Sequence, residues 1–104
     1  MIARLIYVKV APDQIKEAIE DWKTVCAPIM ISQPGCLSEE LLACNEDPAE
    51  FISLSNWESM EAIEAYRTSE AHERVKHSTR GIKAEVVVKT YQVVGWTRLF
   101  TNAP

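Results

Sequence analysis

The sequence has no apolar run near the roughly 20 residues that a membrane-spanning helix needs, so no membrane partner is expected. It has no basic surplus either: 11 Lys and Arg stand against 15 Asp and Glu, the formal charge is −4 and the pI about 5.1. Its cations are scattered, whereas nucleic-acid affinity rests on clustered Lys and Arg that release counterions; nucleic acid is not an expected partner. Cysteine is scarce and odd in number (Cys26, Cys36, Cys44), with no C-x-x-C pair. That favours neither a disulfide framework nor a zinc site, and it fits a reducing cytoplasm. The segment from Met1 to Val10 carries Arg4 and Lys9 inside it. A signal peptide would instead follow a charged start with an unbroken apolar stretch, so this segment reads as a strand. No Gly-rich phosphate loop, G-x-S-x-G elbow or metal-ligand cluster is present, which disfavours nucleotide and hydrolase chemistry.

What is present is enough for one folded domain. The chain has 104 residues, 47% of them apolar and 25% charged, the profile of a globular protein with a single core. Ile2 to Val10 is rich in β-branched and aromatic residues and predicts a first strand, ending at Ala11-Pro12. From Pro12, the residues Ile15, Ala18, Ile19, Trp22, Val25, Cys26 and Ile29 fall on one helical stripe, with Pro28 expected to kink or end the helix. Cys36 to Asn45 lies between turn signals and predicts a second strand; Phe51 to Trp57 alternates as a third, forming a hairpin with it. Ser59 is an N-cap for a helix over Met60 to Arg67, and Ser69 for a short continuation over Glu70 to His77, closed by Gly81. Ala84 to Val94 predicts the last strand. Residues 1–95 are expected to form the domain and Trp96 to Pro104 an arm or tail.

The order β-α-β-β-α-β predicts an α+β, ferredoxin-like fold: a four-stranded antiparallel sheet with both helices on one face. Strands one and four are apolar on both sides, for example Leu5 and Tyr7 against Ile6, Val8 and Val10. Helices on one face leave the other apolar, and a second sheet is the natural cover. A homodimer packed through its sheet faces is therefore expected.

Several stretches carry a resemblance. Pro34-Gly35-Cys36-Leu37, the run from Phe51 through Trp57-Glu58-Ser59-Met60-Glu61-Ala62, and Ser69-Glu70-Ala71-His72 together resemble the antibiotic biosynthesis monooxygenase domain, from Ile2 to about Val94. The resemblance implies a dimeric α+β barrel with a pocket between each subunit's own sheet and helices. It implies varied activities: oxygenation of polycyclic aromatic or quinol compounds without metal or flavin, haem degradation, or handling of small signalling molecules. Haem is disfavoured as a cofactor, because the haem-degrading branch uses a strand-one asparagine, a helix-two tryptophan and a histidine ligand. Here strand one offers Ile6 and Tyr7, the helix-two aromatic is Tyr66, and the histidine position falls nearest Lys76, with His77 one place off.

The expected activity is a cofactor-independent monooxygenase acting on a small aromatic or quinol-type compound, with a non-catalytic small-molecule-binding or stress-response dimer as the rival. His72 is a candidate base that takes a proton from a phenolic substrate, and Tyr66 could orient its oxygen or donate a proton; a surface histidine and a core tyrosine are the plainer readings. Ile6, Trp22, Asn56 and His77 are candidate pocket residues, although Trp22 also suits the core and Asn56 could simply satisfy a strand end. His72 and His77 lie about 140° apart on an ideal helix and so form no metal pair. Trp57 reads as a core plug. Glu39 and Glu40 diverge as strand neighbours and are expected to be solvated.

Overall fold

The computed structural model describes residues 1–97. Strands β1 (Ile2–Val10), β2 (Cys36–Ala43), β3 (Glu50–Trp57) and β4 (Ala84–Gln92) form one sheet in the order β2-β3-β1-β4. Each neighbouring pair is antiparallel, with Leu5 opposite Leu54 in β3 and Lys89 in β4. The expected arm, Trp96 to Pro104, lies outside the described residues except for its first two positions.

The first helical segment opens with a 3₁₀ turn (Pro12–Gln14) and continues through α1 (Ile15–Asp21), a π turn (Trp22–Cys26) and α2 (Ala27–Ile31). Pro28 does not end it. Proline gives no N–H and crowds the carbonyl a turn earlier, and the widened turn just before it absorbs that misfit: Ala27 N–H bonds to the Trp22 carbonyl, five residues back. The helix therefore runs on to Ile31, placing Met30 in the core.

Helices α3 (Met60–Arg67) and α4 (Glu70–Thr79) start where the serines predict. Ser59 Oγ accepts from Ala62 N–H at 3.2 Å and Ser69 Oγ from His72 N–H at 3.3 Å. Helix α4 runs two residues past the expected His77, to Thr79, and Ser78 and Thr79 turn their hydroxyls back onto the Val75 carbonyl. The strands β2 and β4 stop two residues short of expectation, at Ala43 and Gln92. Cys44 N–H still pairs with Glu50 O, and Val93 N–H with Met1 O, but only as closing bonds.

All helices pack on one face of the sheet. Trp57, Ile63, Tyr66, Ile2, Cys26 and Met30 form the main core there, and a second cluster gathers around Val10, Ala49 and Phe51. Trp57 is fully buried, stacks on Tyr66 and donates its Nε1–H to Ser55 Oγ at 2.8 Å. The opposite face carries Leu5, Tyr7, Leu42, Ile52, Leu54, Val87 and Tyr91, and no helix covers it. Among the described residues no helix is long and apolar enough to cross a membrane.

Candidate functional site

A cavity of about 360 Å³ lies between the sheet and the helices. Its floor is the helix side of β1 (Arg4, Ile6, Val8, Val10) with Phe51 and Ser53 of β3, and its roof is formed by Ala18, Ile19, Trp22, His72, Val75 and Thr79. The mouth opens beside β4: Val86 and Val88 line the cavity yet remain 54% and 49% exposed. Most of the wall is aliphatic, which suits a small apolar molecule.

The structure places the expected residues unevenly. Ile6, Trp22 and His72 line the cavity. Tyr66 lies behind the wall, 2% exposed between Trp57 and the edge of His72, and burial pushes its phenol up to about 12. Asn56 sits on the other face of the sheet, where its amide donates to Ser38 Oγ at 2.9 Å. His77 is off the wall, and its neighbour Lys76 is on it. Of the haem-ligand positions expected from the resemblance, the helix presents Lys76 rather than His77 to the cavity, and the imidazole on the wall is that of His72.

His72 is the third residue of α4, and its geometry fixes its tautomer. Nδ1 is 3.0 Å from the Arg67 carbonyl. A carbonyl only accepts, so Nδ1 carries the hydrogen and the neutral ring keeps its lone pair on Nε2. Burial lowers the imidazole's proton affinity, the Arg67 bond opposes that, and the positive charge of Arg4 lowers it further. The N-terminal end of a helix also disfavours a cation. His72 is thus held neutral at the cavity wall, with Nε2 as an acceptor.

Two charged residues were not legible as site residues. Arg4 is 5% exposed, lines the cavity and lies 6.0 Å from the centre of the Tyr66 ring. Burial lowers its pKa. Glu39 contradicts the solvated reading: its Oε1 accepts from Ser53 Oγ at 3.2 Å, and its Oε2 is buried without a hydrogen-bond partner. Burial pushes its pKa up to about 7, against the opposing effects of Ser53 and Arg4. The cause of its inward turn is a bulge. Cys36 stands opposite Trp57, but Ser38 stands opposite Asn56, so Leu37 is an extra residue and Glu39 faces Ser55 on the helix side. Ser53 also accepts from Trp22 Nε1 at 3.1 Å, linking Trp22, Ser53 and Glu39 across the cavity floor.

At the far wall, Asp21 Oδ2 accepts from Ser78 Oγ at 3.1 Å and from Cys26 Sγ at 3.4 Å, tying the π turn to α4. Burial raises the Cys26 thiol to about 11, so it is not a thiolate nucleophile near neutral pH.

An antiparallel ferredoxin-like sheet with a one-sided helical layer and an apolar cavity between them defines the class, a small α+β domain. The sequence matches the family model for antibiotic biosynthesis monooxygenase over residues 1–78, and the chain belongs to that family. Solved structures agree on the fold. The chain is similar to a candidate antibiotic biosynthesis monooxygenase of Nitrosomonas europaea (TM-score 0.79, 14% identity, 91% of this chain and 100% of that one). It is similar to another of Bordetella bronchiseptica (0.81, 17%, 89% and 96%) and to one of Deinococcus radiodurans (0.80, 10%, 96% and 99%). No curated protein matches the sequence.

Proposed function

We propose that the protein is a monooxygenase that needs no cofactor and acts on a small hydroxyaromatic or quinol-type compound bound in the cavity, with His72 as the base. The observation that carries this reading is the His72 geometry: a neutral imidazole with Nδ1–H committed to Arg67 and Nε2 left as the base, at the wall of an apolar cavity. Membership of the monooxygenase family supports the reaction class. Tyr66, walled off and reluctant to ionise, supports the ring of His72 rather than exchanging protons with substrate.

In the proposed reaction His72 Nε2 takes a proton from the substrate, and the electron-rich anion adds to molecular oxygen to form a C–O bond. The peroxide so formed takes up the proton from the imidazolium. Loss of water with the remaining hydrogen of that carbon leaves a carbonyl. For a substrate CH₂ group the balance is R₂CH₂ + O₂ → R₂C=O + H₂O, and His72 ends neutral. The aliphatic wall keeps water from the anion.

The domain is proposed to extend through Gly95 and to act as a homodimer, covering the bare face of each sheet with that of its partner. Oxygen consumption with a panel of quinols and anthrones tests the chemistry. Uptake by the wild type, reduced at least about tenfold in His72→Ala, is expected, since loss of a general base costs on the order of 10² to 10⁴ in rate. Unchanged turnover in the variant refutes the role of His72. Binding of these compounds without oxygen uptake supports the rival reading of a binding module.

A further inference from the structure

Arg4 has no direct ion-pair partner among the described residues. It is buried among the core residues of β1, yet among the described residues no hydrogen bond leaves its guanidinium. A buried cation without a partner is strongly unfavourable unless something else supplies the counter-charge. The nearest carboxylate influence is Glu39, whose free oxygen is also unpartnered. Arg4 and His72 approach the same Tyr66 ring, at 6.0 and 5.0 Å from its centre, and both line the same cavity.

We infer that Arg4 is an oxyanion-binding residue, and that the cavity selects small apolar molecules ending in an ionised hydroxyl on an aromatic ring. This inference deepens the oxygenase reading and rests on it for the role of the anion in turnover. The O–H bond of the ligand breaks as its proton passes to His72 Nε2, and the charge left on oxygen is held by the guanidinium. The ring then lies against Ile6, Val8 and Val88. A planar guanidinium suits a delocalised oxyanion better than a lysine ammonium does. The other charged groups fit this polarity: Asp21 is occupied by Ser78 and Cys26, Lys76 lines the cavity at the exposed end of α4, and Arg67 and Glu64 pair with each other at 2.9 Å. Glu39, held by Ser53, is the group that opposes an incoming anion.

The probe is 4-nitrophenol, which is not a substrate for oxygenation and whose ionised form absorbs visible light. Bound to the wild type, its pKa should fall, because the anion should bind at least about tenfold more tightly than the neutral form, as expected for a charge-assisted contact. The methyl ether 4-nitroanisole, which cannot ionise, should compete at least about tenfold more weakly. Arg4→Met should abolish the preference, Arg4→Lys should retain part of it, and Glu39→Gln should strengthen anion binding at pH 8. A probe pKa that is unchanged or raised in the wild type overturns the inference whether or not any variant folds. Full retention of the depression in a folded Arg4→Met protein also overturns it. Anion preference without oxygen uptake from any quinol or anthrone supports Arg4 and refutes the oxygenase; oxygen uptake without anion preference refutes Arg4 alone.

Discussion

Glu39 is the residue whose behaviour departs furthest from its local sequence. A carboxylate buried with one free oxygen keeps its proton well above the usual range, to about 7 against an ordinary value of 4.5. The folded state therefore binds more protons than the unfolded chain between those two pH values, and stability falls as pH rises through that window. The loss is complete above about pH 7 and amounts to about 3 kcal/mol. Glu39→Gln should consequently raise the melting temperature at pH 8 and change it little at pH 4.5. A variant equally or less stable at pH 8 would show that the wild-type carboxylate is solvated or paired. Two adjacent glutamates in a strand gave no reason to choose one as buried, since their side chains must point to opposite faces and either could have been the outer. Arg4 was equally opaque: an arginine in an apolar strand reads as a surface residue, and its burial follows from its register opposite Ser55. His72 was legible because its type is chemically distinctive and Ser69 fixes the start of its helix.

At the scale of elements, the turn into β2 shows how closely strand and helix must approach. Gly35 has a φ of +85°, and a Cβ there would lie 2.6 Å from the Ala62 Cβ of α3. Its carbonyl accepts from Glu58 N–H at 2.9 Å, so the turn is held on both sides of the approach. Gly35→Ala combines backbone strain with overlap and should destabilise the fold by about 2 kcal/mol or more, measured by denaturant unfolding. A loss under about 0.5 kcal/mol would mean that α3 can move away freely. The strand and helix order was readable because period-2 and period-3.6 apolar patterns alternate clearly, and because Ser59 and Ser69 mark two separate helix starts. The π turn and the Leu37 bulge were not readable. Each inserts a single residue into a regular element, and that choice depends on tertiary packing: the core position of Met30 in one case, and the pairing of β2 with β3 in the other. The bulge alone accounts for the missed Glu39, because it reverses the facing of the rest of β2.

For the whole molecule, the two faces of the sheet have different fates. One holds the cavity beneath the helices, and the other leaves Leu42, Val87 and Tyr91 at 40%, 54% and 45% exposure around a centre made of Leu5, Tyr7, Ile52 and Leu54. The phenol of Tyr91 acts on that of Tyr7 across this face and, with burial, pushes the Tyr7 phenol up. A continuous apolar patch centred on four strands is a poor surface to leave in water, and a two-fold axis through it would bury two copies at once. Leu54 lies opposite Leu5 near the centre of that face and away from the cavity. Leu54→Glu would put two carboxylates against each other in the proposed interface without touching Arg4 or His72. It should weaken association at least about hundredfold and give a monomer by light scattering at micromolar concentration, while the wild type gives a dimer. A monomeric wild type, or a variant that stays dimeric, would rule out pairing through this face. Because the cavity is built from one chain's own sheet and helices, a folded Leu54→Glu monomer should still shift the ionisation of 4-nitrophenol. Loss of that shift in the monomer would mean that the partner sheet, by stiffening β1 from behind, is needed to hold Arg4 in place.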